Sequence, residues 1–322
     1  MSQPAGSANG PSLDAAAETA VRQCMGLRAG ESCVVVTDDD KEAIGEALDA
    51  AAREITDEAV LARYPPGDQH GEEPPDPVAA AMRSADVVLA PTTRSLSHTR
   101  ARGAANEVGA RVATLPGITE DVFSKGLDAD YATIREACEG IRAQVADADE
   151  IRVASPQGTD VTFEPGEREW RSDTGIVHEP GAMSNLPAGE VFVSPETADG
   201  TYAVDGTMMP HGRLDDPIEF VVEDGFVTGI DDPEVREQVE TAAEEVGEDA
   251  FNLAELGIGA NVGVRELAGH LLLDEKAAGT VHIAIGDDAG IGGDTDAPLH
   301  LDGILREPTV FADGEEVALP EV

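Results

Sequence analysis

The chain has 322 residues, 41% of them hydrophobic, and sets 65 acidic against 21 basic residues for a formal net charge of −44. That size suits one large or two medium domains; the lack of any basic patch argues against nucleic acid as a partner, and no apolar run reaches the roughly 18 residues of a membrane span. Three cysteines (Cys24, Cys33, Cys138) without CxxC spacing argue against a disulfide framework or a cysteine zinc site and fit a reducing cytoplasm.

The opening "MSQPAGSANGPS" (1–12) has neither a basic n-region nor an apolar core, and reads as a short disordered tail rather than a secretory signal. "SCVVVT" (32–37) is a β-branched strand, followed by "DDDKEAIGEALDAAAREI", where acidic caps open a run of helical apolar spacing. The Pro- and Gly-rich stretch 59–76 reads as a long loop. "ADVVLAPT" (85–92) and "ARVATLPG" (110–117) are two more strands, with the helix "SHTRARGAANEVG" between them. Short strands alternating with helices predict a parallel α/β domain over 13–149, closed by an amphipathic helix over 129–148. No GxGxxG follows the first strand, where three aspartates would repel a phosphate, so this domain does not read as nucleotide-binding.

From about residue 150 the rhythm changes to strands joined by glycine-bearing turns: "EIRVAS", "TDVTFE", "GEVFVSP", "GTYAVDG" and "IEFVVEDGFVTGI". One helix interrupts them over 232–247, with an aspartate cap, Pro at its first position and Gly at its end. The expected fold class is therefore α/β: a parallel α/β domain followed by a mixed α+β domain over 150–322. The diffuse acid excess reads as a halophilic surface, because the Debye length falls to about 3 Å at 1 M salt.

Chemistry-bearing residues gather in the second half. In "LHLDG" (299–303), His300 and Asp302 stand two apart, so an extended strand turns both to one face. His282 is the only polar side chain in the core-strand pattern "GTVHIAIG" (279–286). Together the three make a two-histidine, one-carboxylate set, which serves either a metal or a buried ion pair. Glu190 stands where a Pro/Gly turn enters an apolar strand, and Glu255 lies in the otherwise neutral "FNLAELGIGAN" (251–261). An unpaired carboxylate in apolar surroundings costs several kcal/mol. With only three lysines in the chain, a divalent cation is the economical partner, although Arg265 and Arg306 are also available and either glutamate could stand at a strand edge in water. "GIGGDTD" (290–296) lacks the lysine of a phosphate loop and reads as a flexible loop over the site. Trp170, in "GEREWRSDTG", serves packing or a substrate wall.

In order, "NLPAGEVFVSPE", "AELGIGAN", "LLLDEKAAGTVHIAIG" and "LHLDG" resemble the metal-binding blocks of the aminopeptidase T family of leucyl aminopeptidases. "GLRAGESCVVVTDD" and "SLSHTRARGAANEVGARVATLPGI" resemble that family's upstream regions, so the likeness runs through nearly the whole chain from about residue 18. The resemblance implies a two-domain homodimer that removes N-terminal residues from short peptides at a pair of divalent metal ions; the donor types suit zinc, cobalt or manganese, and the cysteine usage sets the expected location as cytoplasmic. The ligands it implies are Glu190, Glu255, His282, His300 and Asp302; in such a site Glu255, or a carboxylate beside it, would pass a proton from the attacking water to the leaving amine.

One departure opens an alternative. The family carries a tyrosine a few residues after the strand histidine, and Ala289 stands near that place here. The dihydroxypyridine ring-cleaving dioxygenases resemble the same fold and use one Fe(II), for which His282, His300 and Asp302 would be the facial triad. A metal-binding homologue without chemistry is the third reading.

Overall fold

The computed structural model describes residues 12–320, so the expected N-terminal tail lies outside the described residues except for Ser12, which caps the helix Leu13–Glu18. Compact contacts divide the chain into two units: one running to Tyr131 and resuming over Gly175–Pro187, the other comprising Ala132–Thr174 and Ala188 onward. The sequence reading placed a single boundary at 149/150. The difference arises because the helix expected to close the first domain lies almost wholly in the second unit, and because a later segment returns to the first.

In the first unit, β1 (Cys33–Asp38), β2 (Ala59–Tyr64), β3 (Val87–Thr92) and β4 (Arg111–Pro116) form a parallel sheet in the order β2-β1-β3-β4. The segment Met183–Asn185 adds a fifth parallel strand beside β4. Every residue of β1 and β3 is buried, as expected of parallel strands covered on both faces, which read as unbroken apolar runs. Val34, Val36, Val88, Ala90 and Val112 pack with Val78 and Met82 of α1 (Asp76–Ser84) and Ala101 and Ala105 of α2 (Arg100–Glu107). Strand β2 corrects the loop reading of 59–76: the Pro and Gly residues begin only after Tyr64, and "AVLARY" is a half-buried edge strand whose mixed burial blurs its pattern.

The second unit holds α3 (Tyr131–Val145, its first residue excepted), α4 (Pro233–Val246) and two antiparallel seven-stranded sheets. One of them runs through Thr197–Val204 and Ile218–Glu223 and carries Tyr202 stacked on Phe220 at 4.6 Å between ring centroids. The other is built around β5 (Glu190–Val193), β6 (Leu253–Gly259), β7 (Val281–Gly286) and β8 (His300–Leu305), adjacent in the order β8-β7-β6-β5. The α/β class read from the sequence is the class observed.

Candidate metal centre

The four central strands bring all five expected residues to one face of their sheet. Cross-strand partners point the same way, and Glu255 is opposite Ala284, Ala284 opposite Asp302, Gly286 opposite His300, Gly257 opposite His282 and Gly259 opposite Glu190. Glycine or alanine at 257, 259, 284 and 286 makes room on that face for the long polar side chains, which share it with Phe192 and Ile304. At Gly257 this is a steric requirement: a Cβ there would come within 1.9 Å of His282 Nε2.

Glu255 is the centre of the group. Its Oε1 lies 3.2 Å from His282 Nε2, and its Oε2 lies 3.3 Å from His300 Nε2. His282 Nε2 is also 3.5 Å from Glu190 Oε2, and His300 Nε2 is 3.5 Å from Asp302 Oδ1. Two sets of potential ligand atoms result, each with all members within 4.8 Å of one another: Glu190, Glu255 and His282, and Glu255, His300 and Asp302. The first set is buried, whereas the His300 side chain keeps 32% of its surface exposed and opens the second set to solvent.

Electrostatics follow from that packing. Burial alone would push Glu255 up, but hydrogen bonds from His282 and His300 outweigh it and hold its carboxyl well below the usual range. Burial would likewise lower both histidines, yet the surrounding carboxylates raise His282 to about 9 and His300 well above its ordinary value. Asp302 is raised by burial and lowered more by His300. Glu190 goes the other way: burial lifts it to about 7 against the opposing pull of Lys276 and His282.

Lys276 answers a question that composition left open. One of only three lysines, it is buried with Nζ 2.5 Å from Glu190 Oε1 and 2.8 Å from Glu275 Oε1. Glu190 therefore has a protein cation on one oxygen, while its Oε2 is buried without a hydrogen-bond partner and faces His282. In the sequence Lys276 shows only as a lone lysine in "LLLDEKAAG", after the short helix Leu271–Asp274 and before the histidine strand, with nothing that pairs it to Glu190. Arg265 and Arg306 make no ion pair with either glutamate among the described residues; Arg306 binds Asp205 instead.

A cation fits this cluster: hard oxygen and borderline nitrogen donors converge, one buried carboxylate oxygen lacks a partner, and a glycine makes room for the imidazole. Within the second unit no tyrosine stands beside the cluster: Ala289 is exposed, and Tyr202 lies in the other sheet. Trp170 is buried, with its indole N–H unpaired.

Fold and cluster together define a class: a two-unit α/β protein with side chains that could hold a metal on adjacent strands of its second unit. The chain belongs to the NicX family, 2,5-dihydroxypyridine 5,6-dioxygenase, whose sequence model matches residues 13–319. A 2,5-dihydroxypyridine 5,6-dioxygenase from Pseudomonas putida is 24% identical over 183 residues, a match covering 52% of this chain and 52% of that relative, so about half of the relative's length. The solved structure of 2,5-dihydroxypyridine dioxygenase from P. putida KT2440 superposes with a TM-score of 0.76 at 19% identity, covering 98% of this chain and 97% of that one. AmpT from Thermus thermophilus superposes with a TM-score of 0.67 at 19% identity, covering 95% and 99%. Family membership thus falls to the alternative in the sequence reading, and the resemblance to aminopeptidase T is supported at the level of fold.

Proposed function

We propose that the chain is a metal-dependent hydrolase of the aminopeptidase type, acting on the N-terminal residue of short peptides with two divalent cations held by Glu190, Glu255, His282, His300 and Asp302. The observation that carries this reading is the position of Glu255, one oxygen toward each histidine, which makes it a carboxylate shared by two three-donor sets. A pair of bound cations would supply Lewis acidity and a water ionised near neutral pH. The chain itself contributes the charge and the geometry. Glu190 offers Oε2 because Lys276 occupies Oε1. The proton-accepting role implied for Glu255 requires one of its oxygens to leave its histidine, so here its role as shared ligand comes first.

Family membership favours a second reading, ring-opening oxygenation at one Fe(II). That chemistry calls for two histidines and one carboxylate around one point. His282 falls in one three-donor set and His300 with Asp302 in the other, the two joined through Glu255, and this favours two cations over one. The discriminating experiment is metal analysis of the purified protein with two assays. Two cations with hydrolysis of amino-acyl anilides supports the first reading; one iron with oxygen uptake on a hydroxylated pyridine replaces it with the second, and metal without either activity leaves the degenerate homologue. On the first reading, His300→Ala and Asp302→Ala remove metal-dependent activity from folded protein and Glu190→Ala binds one cation fewer. An unchanged metal-to-chain ratio in Glu190→Ala would make Glu190 structural.

A further inference from the structure

The loop between β7 and β8, expected to be flexible, is pinned at one buried carboxylate. Asp288, 2% exposed, accepts hydrogen bonds at Oδ2 from Ser194 Oγ (2.8 Å), Asn252 Nδ2 (3.1 Å) and Arg168 Nη1 (3.3 Å), and at Oδ1 from Thr295 N (2.7 Å). The backbone of the loop folds around it: Asp288 N and Ala289 N donate to Thr295 O, and Gly293 N donates to Asp288 O. Only glycine fits at 293, because a Cβ would lie 1.9 Å from the Asp288 carboxyl carbon. Arg168 reaches over from the "GEREWR" segment. Its Nη1 also donates to Ser194 Oγ (2.6 Å), its Nη2 approaches Asp294 (3.5 Å), and Arg171 Nη1 donates to Gly290 O (3.3 Å).

This loop meets the cluster at His300. The carbonyl of Asp287, the residue before the anchor, lies 2.7 Å from His300 Nδ1. A carbonyl only accepts, so Nδ1 carries the hydrogen and Nε2 is turned toward Glu255 and Asp302. A partner on the second ring nitrogen is what fixes the orientation of a metal-ligating histidine. His282 has none, its Nδ1 being buried and unpaired, so the two histidines are held by different means.

We propose that Arg168 and Asp288 are positioning residues that lock the 287–299 loop and, through the Asp287 carbonyl, aim His300 Nε2 at the cation. The inference rests on the metal-site reading above and concerns a ligand's orientation, whichever reaction follows.

The test compares wild type with Arg168→Gln and Arg168→Lys by two measurements: amide hydrogen exchange of the metal-free protein and titration with cobalt(II). Arg168→Gln is expected to keep the far-UV circular dichroism of wild type. The amides of Ala289, Gly293 and Thr295 should exchange at least about 10-fold faster, with those of Ile283 and Ile304 unchanged. Cobalt affinity should fall about 10- to 100-fold, the usual cost of losing a ligand's support, with an altered visible spectrum and part of the loss restored in Arg168→Lys. Exchange unchanged in the loop would overturn the clamp, and a loosened loop with wild-type cobalt affinity and spectrum would overturn its link to His300. A wild-type chain that takes up no cobalt would instead overturn the metal-site reading, while the exchange comparison judges the clamp independently.

Discussion

His282 and His300 hold their protons firmly in the metal-free chain, because buried carboxylates surround them. A cation must displace those protons, so its apparent affinity should climb as pH rises toward about 9, where His282 titrates. Calorimetric titration at pH 7 in two buffers of different ionisation enthalpy should show proton release on binding; equal heats in both would refute it. The same raised value fixes a sign for folding. The stabilisation that His282 contributes without metal is fully present below its unfolded value near 6.5 and is lost as pH rises through about 9. Metal-free protein should therefore melt at lower temperature at pH 9.5 than at pH 7. At this scale the sequence was informative where spacing alone carries meaning: His300 and Asp302 share a face because strands alternate. Lys276 was not legible as a partner of Glu190, since the contact joins positions far apart in the chain and depends on the fold.

Helix α4 illustrates an element written almost completely in its own residues. Asp232 accepts hydrogen bonds from Glu234 N at 3.0 Å and Val235 N at 2.9 Å, Pro233 occupies the first turn, and Gly247 closes the helix with positive φ. Asp232→Ala should cost about 1 kcal/mol and lower the melting temperature by about 2 °C, while metal binding stays intact. A loss of bound metal would show that the helix matters to the cluster. Strands β1, β3 and β4 were equally legible, being buried on both faces. The edge strand β2 was not, because half-exposure removes the apolar run and the prolines after it resemble a loop. Nor was the loop before β8: its small and acidic residues carry the composition of a mobile segment, and its order comes from Arg168, Ser194 and Asn252 on other elements.

At the scale of the molecule, a net charge of −44 sets a large self-repulsion against folding. Raising KCl from 0.1 to 1 M shortens the screening length from about 10 Å to about 3 Å and should raise the melting temperature by on the order of 10 °C. A salt-independent melting temperature would mean that the acids are balanced locally. The charge itself is read directly from composition. Composition could not announce the division of the chain, because a segment that leaves one unit and returns to it bears no local mark. That return has a consequence for biosynthesis. When the ribosome has released everything up to Tyr131, the parallel sheet still lacks its fifth strand, which emerges only after Ala132–Thr174 has been made. Until that strand emerges, the outer edge of β4 has no partner in the nascent sheet.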